Sequence, residues 1–171
     1  GGEPALLEEL PDIINFFLKE NASYFMVFSS AIKYAKSIHE LLNNENITAE
    51  LLVSPDAGNR ALYKKIKCTD KFNEVINNLK KYNEGIKNPR SRVIAKYICI
   101  KNINDNPENL KEFIDLMNKI GIKNIRLDIE YNYPDKINSI IPSLFKFGKN
   151  YAESLNLNAD FNGIALHDLE K

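Results

Sequence analysis

Apolar residues recur along this chain with two alternating periods, one helical and one strand-like, and the two take turns from one end to the other. Leu10, Ile13, Ile14, Phe17 and Leu18 fall at helical spacing, with Pro11 suited to a first turn and Asn21 closing the run. Tyr24 to Phe28 then predicts a short buried strand that ends at Ser29-Ser30. Ile32, Ala35, Ile38, Leu41 and Leu42 share a face of a second helix, broken by Asn43 to Asn46. Thr48 to Ser54 predicts the next strand. Leu51 and Val53 take one face of it; Glu50, Leu52, Ser54 and, beyond the strand, Asp56 take the other. Pro55 to Asn59 is a turn by composition. A short basic helix, Arg60 to Lys67, follows. Thr69 or Asp70 can then cap a longer helix that shows Phe72, Val75, Ile76, Leu79 and Tyr82 on one side.

The second half repeats the alternation. Arg92 to Ile100 is the most apolar strand, and Lys96 in its middle calls for an aqueous cavity or a partner carboxylate. Pro107-Glu108 opens a helix with Leu110, Phe113, Ile114, Met117 and Ile120 inward, and Gly121 suits its C-terminal cap. In the next strand Ile125, Leu127 and Ile129 share one face, while Arg126, Asp128 and Glu130 share the other. Strands of a parallel α/β sheet are normally apolar on both faces, so this charged face must meet water. In a curved sheet that water lies in an enclosed cavity; an edge strand with a solvated face is the alternative. A last helix runs through Ile137, Ile140, Ile141, Leu144, Phe145, Tyr151 and Leu155, where Pro142 predicts a kink or a late start. A short strand is expected near Phe161 to Leu166.

Strict alternation argues for parallel βαβ units, either an open doubly wound sheet or part of a barrel, in a single domain spanning residues 1–171. Polar residues gather on one face of three strands and toward their carboxyl ends, where such folds place their sites. The expectation is therefore an incomplete TIM-like (β/α) barrel, because four or five strands cannot close a full one.

Charge excludes some partners. Lys plus Arg equals Asp plus Glu, 23 each, so no overall field draws the protein to nucleic acid or to an anionic membrane. No apolar run approaches the length of a membrane span, and no signal-peptide pattern precedes the first helix, which favours a cytoplasmic protein. Cys68 and Cys99 lack metal-ligand spacing and read as buried free thiols. His39 and His167 have no carboxylate or nucleophile at a diagnostic spacing and read as surface residues.

Gly1-Gly2-Glu3-Pro4, followed directly by an amphipathic helix, resembles the GGEP motif of the radical S-adenosylmethionine (SAM) enzymes. Leu52 to Gly58 with Leu62 to Lys67 looks like the fourth strand of that family and its helix, Tyr97 to Asn106 like the fifth strand and its loop, and Ile125 to Asp128 like the sixth. The resemblance implies a partial barrel that binds SAM and a [4Fe–4S] cluster and generates a 5′-deoxyadenosyl radical for hydrogen abstraction. It also implies roles. Gly1, Gly2 and Glu3 would receive the SAM amino group; Ser54, with Asp56 as second candidate, would face the ribose hydroxyls. Lys67 would meet the SAM carboxylate, and backbone around Ile98 to Ile100 would face adenine. Lys96, Arg126, Asp128 and Glu130 would line the substrate cavity, unless they form a closed ion-pair network.

The family's CxxxCxxC loop is absent from these 171 residues, and two lone cysteines cannot replace three at that spacing. The chain is thus expected to be the carboxyl-side part of such a domain, without a cluster of its own. Two rivals remain open. One is a cluster-free α/β barrel that binds a phosphorylated metabolite, against which no Gly-rich phosphate loop opens a helix. The other is a non-catalytic half-barrel that docks another chain, or a second copy of itself, through an exposed sheet edge. The substrate, small molecule or peptide, stays open.

Overall fold

The computed structural model describes residues 3–135 and 139–161, and Gly1, Gly2, Ile137, His167 and the expected strand beyond Phe161 lie outside them. After a 3-10 turn at Pro4–Leu6 come α1 (Leu10–Lys19), β1 (Tyr24–Ser29), α2 (Lys36–Asn43), β2 (Thr48–Val53), α3 (Arg60–Lys67) and α4 (Phe72–Asn83). The order continues with β3 (Arg92–Cys99), α5 (Pro107–Lys119), β4 (Asn124–Ile129), α6 (Ile141–Ser154) and β5 (Asn158–Phe161).

The five strands form one sheet in chain order, and every neighbouring pair is parallel. Sequential order with helical crossovers is the winding of a barrel rather than of a doubly wound sheet. Burial agrees. Ala49, Leu51, Val53, Val93, Ala95, Tyr97, Ile125, Leu127 and Ile129 join one core with Leu41, Leu79, Phe113, Ile114 and Phe145 from the helices. Glu50, Leu52, Ile94, Lys96, Ile98, Arg126 and Asp128 alternate with them and so face the other side, the inner face of the partial barrel. β4 lies between β3 and β5, so its charged face is not that of an edge strand.

Local chemistry sets the boundaries. Asn106 caps α5 by accepting from the Asn109 N–H at 2.9 Å, with Pro107 in the first turn. Gly121, at φ +82°, ends it in a left-handed turn, and the Ile122 N–H reaches the Met117 carbonyl at 3.0 Å. Pro142 marks a late start, not a kink, since α6 begins at Ile141.

Several expectations are corrected. β1 is not a buried strand: it is the sheet's edge, and Tyr24 and Phe28 are 52% and 58% exposed. Ile32 precedes α2 and is exposed. Neither Thr69 nor Asp70 caps α4; Lys71 holds that position, while both Asp70 carboxylate oxygens are taken by the Arg60 guanidinium at 2.7 and 2.9 Å. Of the apolar stripe of α1 only Leu10 and Ile14 are buried; Ile13 and Phe17 are exposed. A further strand at Asn158–Phe161, which the pattern did not signal, follows α6.

Candidate functional site

A cavity of about 500 Å³ opens at the carboxyl ends of β1 and β2, a volume within the ordinary range for a small-molecule pocket. Glu3, Ser54 and Lys67 all line it, although they lie 64 residues apart along the chain, from residue 3 to residue 67. Phe28, Ile32 and Leu52 give it an apolar wall, and Tyr63 and Thr69 close the side next to α3.

Glu3 is fixed in place. Its Oε1 accepts from the Ser29 hydroxyl at 2.6 Å and the Ala5 N–H at 3.1 Å, and its Oε2 accepts from the Ser30 N–H at 2.5 Å. Burial alone would raise this carboxyl, but the hydrogen bonds from Ser29, Ser30 and Ala5 outweigh it and hold Glu3 below the usual carboxylate range. The group is an anion at neutral pH and keeps lone pairs for a further donor. Ser29 and Ser30, read in the sequence only as a strand end, are what orient it.

Lys67 ends α3, whose N-cap Asn59 accepts from the Leu62 N–H at 2.8 Å. Its ammonium contacts the Asp56 carboxylate, and its side chain is 30% exposed against 2% for Asp56. Asp56 itself does not line the cavity. Oδ2 of Asp56 meets Lys67, and Oδ1 accepts from the Ile98 N–H at 2.7 Å, so the residue ties the β2 turn to β3 and holds Lys67 at the cavity wall. Burial pushes this carboxyl up, against the pull of Lys67 and the Ile98 N–H. A left-handed φ of 57° at Asp56 is the backbone cost of that placement. Gly58, two residues on, packs against α5 so closely that a Cβ would sit 2.3 Å from the Glu112 carbonyl carbon.

Ile98 and Ile100 do not line the cavity either, and their backbone is already engaged. Buried Asn104 donates to the carbonyls of Asp56 and Ile98 at 3.0 and 2.9 Å, and its Oδ1 accepts from the Ile100 N–H at 2.6 Å. Tyr97 donates to the Asn104 carbonyl at 2.6 Å. Asn104 is the knot of this end of β3, and the sequence offered only a polar loop there. The apolar surface facing the cavity is Phe28, Ile32 and Leu52 instead.

On the inner face Lys96 finds its partner in Asp128 at 3.3 Å, with the two side chains 18% and 16% exposed. The Asp128 Oδ1 also accepts from the Ile129 N–H at 2.8 Å. Arg126 and Glu130 are half-buried and, among the described residues, have no hydrogen-bond or ion-pair partner for their side chains. The alternative of a closed ion-pair network is therefore met by one pair, Lys96 and Asp128, and not by Arg126 and Glu130 among the described residues.

The metal chemistry is a separate matter. Cys68 is exposed, correcting the expectation, because it takes the left-handed C-cap of α3 at φ 54°. Cys99 is buried, and burial pushes its thiol up, so it stays protonated. Among the described residues no group of three or more His, Cys, Asp or Glu is placed to hold a metal ion. The donor set for a [4Fe–4S] cluster is not met by them. His39 is not a bare surface residue: its Nδ1 lies 2.5 Å from the Tyr34 hydroxyl. Among the described residues no helix is long and apolar enough to cross a membrane.

No family model and no curated protein matches the chain. Solved structures do. A radical SAM methyltransferase from Sphaerobacter thermophilus superposes with a TM-score of 0.56 at 20% identity, over 80% of this chain and 39% of that one. SuiB from Streptococcus suis superposes with a TM-score of 0.72 at 15% identity, over 97% and 39%. A domain of pyruvate-formate lyase-activating enzyme from Bacteroides vulgatus gives 0.72 at 17%, over 95% of this chain and 96% of that one. The chain thus has the fold shared by these proteins, a partial TIM-like barrel found in a radical SAM enzyme. It spans about two fifths of the first two (39% each) and nearly all of the third (96%).

Proposed function

We propose that the cavity binds SAM and that these residues form the carboxyl-side part of a radical SAM core. The observation that carries this reading is the convergence of Glu3, Ser54 and Lys67 around one cavity at the carboxyl ends of parallel strands. SAM ends in an amino acid: its ammonium is the natural partner of Glu3, and its carboxylate of Lys67. Ser54 offers a hydroxyl to the ribose, and Phe28, Ile32 and Leu52 offer an apolar surface to the adenine. Asp56 acts as a positioning residue that sets the Lys67 ammonium. Gly1 and Gly2 keep their expected role beside Glu3.

SAM bound there would supply a 5′-deoxyadenosyl group for hydrogen abstraction once cleaved by a reduced cluster. The ligands for that cluster would come from outside the described residues. This chain's own contribution is to bind, orient and shield the cofactor. The test is a longer form of the protein that extends upstream of Gly1, reconstituted anaerobically with iron and sulfide, reduced and assayed for 5′-deoxyadenosine. Product from the long form, with none from the 171-residue chain, supports the reading. A long form without the three-cysteine loop, cluster or product would remove it.

The edge of β1 favours one further role for the same chain. Among the described residues it has a neighbour on one side only and exposes Tyr24, Met26 and Phe28, and the preceding segment exposes Leu6, Leu7, Phe16 and Phe17. Such an edge invites pairing with another strand or a second copy. Sedimentation of the 171-residue chain decides this; a monomer at high concentration removes the self-association reading.

A further inference from the structure

The inner face beside the cavity holds an arginine with which no carboxylate among the described residues forms an ion pair. Its position follows from the register. Val53 pairs with Ala95, so Ser54, one residue on, stands level with Lys96; Lys96 pairs with Arg126, and Arg126 with Asp160. These four form one row across the inner face. Adjacent strands lie about 4.8 Å apart, which puts the Arg126 Cα roughly 10 Å from that of Ser54, on the cavity wall. A group held by Arg126 is within the span of a small molecule that also touches the cavity.

The neighbouring charges are used elsewhere. Glu50 takes Arg92 at 2.5 Å, and Asp128 takes Lys96 at 3.3 Å. Asp160 is level with Arg126, yet it is exposed and no ion pair joins the two. Glu130 is four residues on, just past the end of β4 and about 13 Å away at strand rise, too far to bond Arg126 directly. Arg126 is thus half-buried with, among the described residues, no hydrogen-bond or ion-pair partner. A guanidinium drawn partly out of water without an anion is an unfavourable arrangement that an incoming oxyanion relieves. Its planar fork suits two parallel hydrogen bonds to a carboxylate or phosphate better than any other side chain does.

We propose that Arg126 anchors a carboxylate or phosphate group of the substrate, next to the cavity that takes SAM; the word substrate here rests on the reading above. The test is nuclear magnetic resonance of the 171-residue chain, following the Arg126 Nε–H signal while succinate and, separately, inorganic phosphate are added. A saturable shift at Arg126 is expected with at least one of them. A response to succinate alone assigns a carboxylate, and one to phosphate alone assigns a phosphate. Arg126→Gln should weaken that binding about tenfold or more, and Arg126→Lys, which keeps the charge and loses the fork, should weaken it a few-fold. Backbone spectra report whether each variant folds, and the lysine variant serves if the glutamine one does not.

Failure of both anions to move the Arg126 signal to saturation overturns the proposal, as does equal binding by Arg126→Gln or a response centred on Lys67. A third titration, with S-adenosylhomocysteine, keeps the two readings apart. Shifts at Glu3, Ser54 and Lys67 without any anion response at Arg126 overturn the anchor and leave the cavity reading standing. An anion response at Arg126 without those shifts supports the anchor and removes the cavity reading.

Discussion

The two ends of the inner sheet face use the same kinds of side chain and leave them in opposite states. At the amino ends of β2 and β3, Glu50 is buried and saturated: Arg92 donates to its Oε1 through Nε at 2.7 Å, and Tyr24 donates to its Oε2 at 2.9 Å. At the carboxyl ends Glu3, Ser54 and Lys67 stand around open space, and midway along the inner face Arg126 has no anion among the described residues. Both ends hold hydrogen-bonded acids and bases, so charge content does not distinguish them; the open cavity beside Glu3, Ser54 and Lys67 does. A saturated cluster fixes the sheet, while an unsaturated one at the ends where strands hand over to loops is free to bind.

The largest expected effect breaks the scaffold of the open end. Gly58→Ala places a methyl group against the α5 backbone and should cost about 3 kcal/mol in urea unfolding, because backbone cannot step aside as a flexible side chain can. Lys67→Met comes next. It strips the cation from buried Asp56, which should cost about 2 kcal/mol at neutral pH and weaken an adenosyl ligand about tenfold. Its pH dependence has a definite sign. Burial already raises the Asp56 carboxyl, and loss of Lys67 raises it further above its unfolded value. The variant's deficit should therefore be greatest at neutral pH and above, and shrink as the pH falls through the raised value.

Glu50→Gln sharpens the contrast from the closed end. Arg92 is nearly half exposed, so screening discounts the pair, and a loss of about 1 kcal/mol is expected in the same unfolding measurement. Ligand affinity at the cavity should not change. The smallest effect is that of Glu3→Gln on acid unfolding. The lowered Glu3 contributes stability that is present above the ordinary glutamate range and is lost as the pH drops through its folded value. The variant lacks this, and its acid limb should be flatter than that of the native chain.

The parallel alternation was legible in the sequence because period-2 and period-3.6 patterns differ plainly over stretches such as Ile125 to Ile129 and Phe72 to Tyr82. What misled is instructive. Tyr24 to Phe28 is as apolar as a buried strand, and nothing local says which strand will be an edge. Asp70 has the chemistry of an N-cap, but Arg60, one helix earlier, offers it a bidentate partner. At the site, Glu3, Ser54 and Lys67 were nameable from the motif resemblance alone. The supports of the site were not: Ser29 and Ser30 on Glu3, Asp56 beneath Lys67, and Asn104 linking Asp56 to Ile98 depend on contacts 26 to 48 residues apart for Ser29–Glu3 and Asn104–Asp56. No periodicity encodes such pairs. The apolar wall at Phe28, Ile32 and Leu52 was hidden for the same reason.

The central claim is that the open end takes SAM through Glu3 and Lys67. The most direct measurement is a calorimetric titration of SAM into the 171-residue chain, its Lys67→Met variant and its Glu50→Gln variant. Saturable one-site binding, weakened about tenfold by Lys67→Met and untouched by Glu50→Gln, is the predicted result. Absence of binding to the native chain, or equal binding by the Lys67→Met variant, would contradict it.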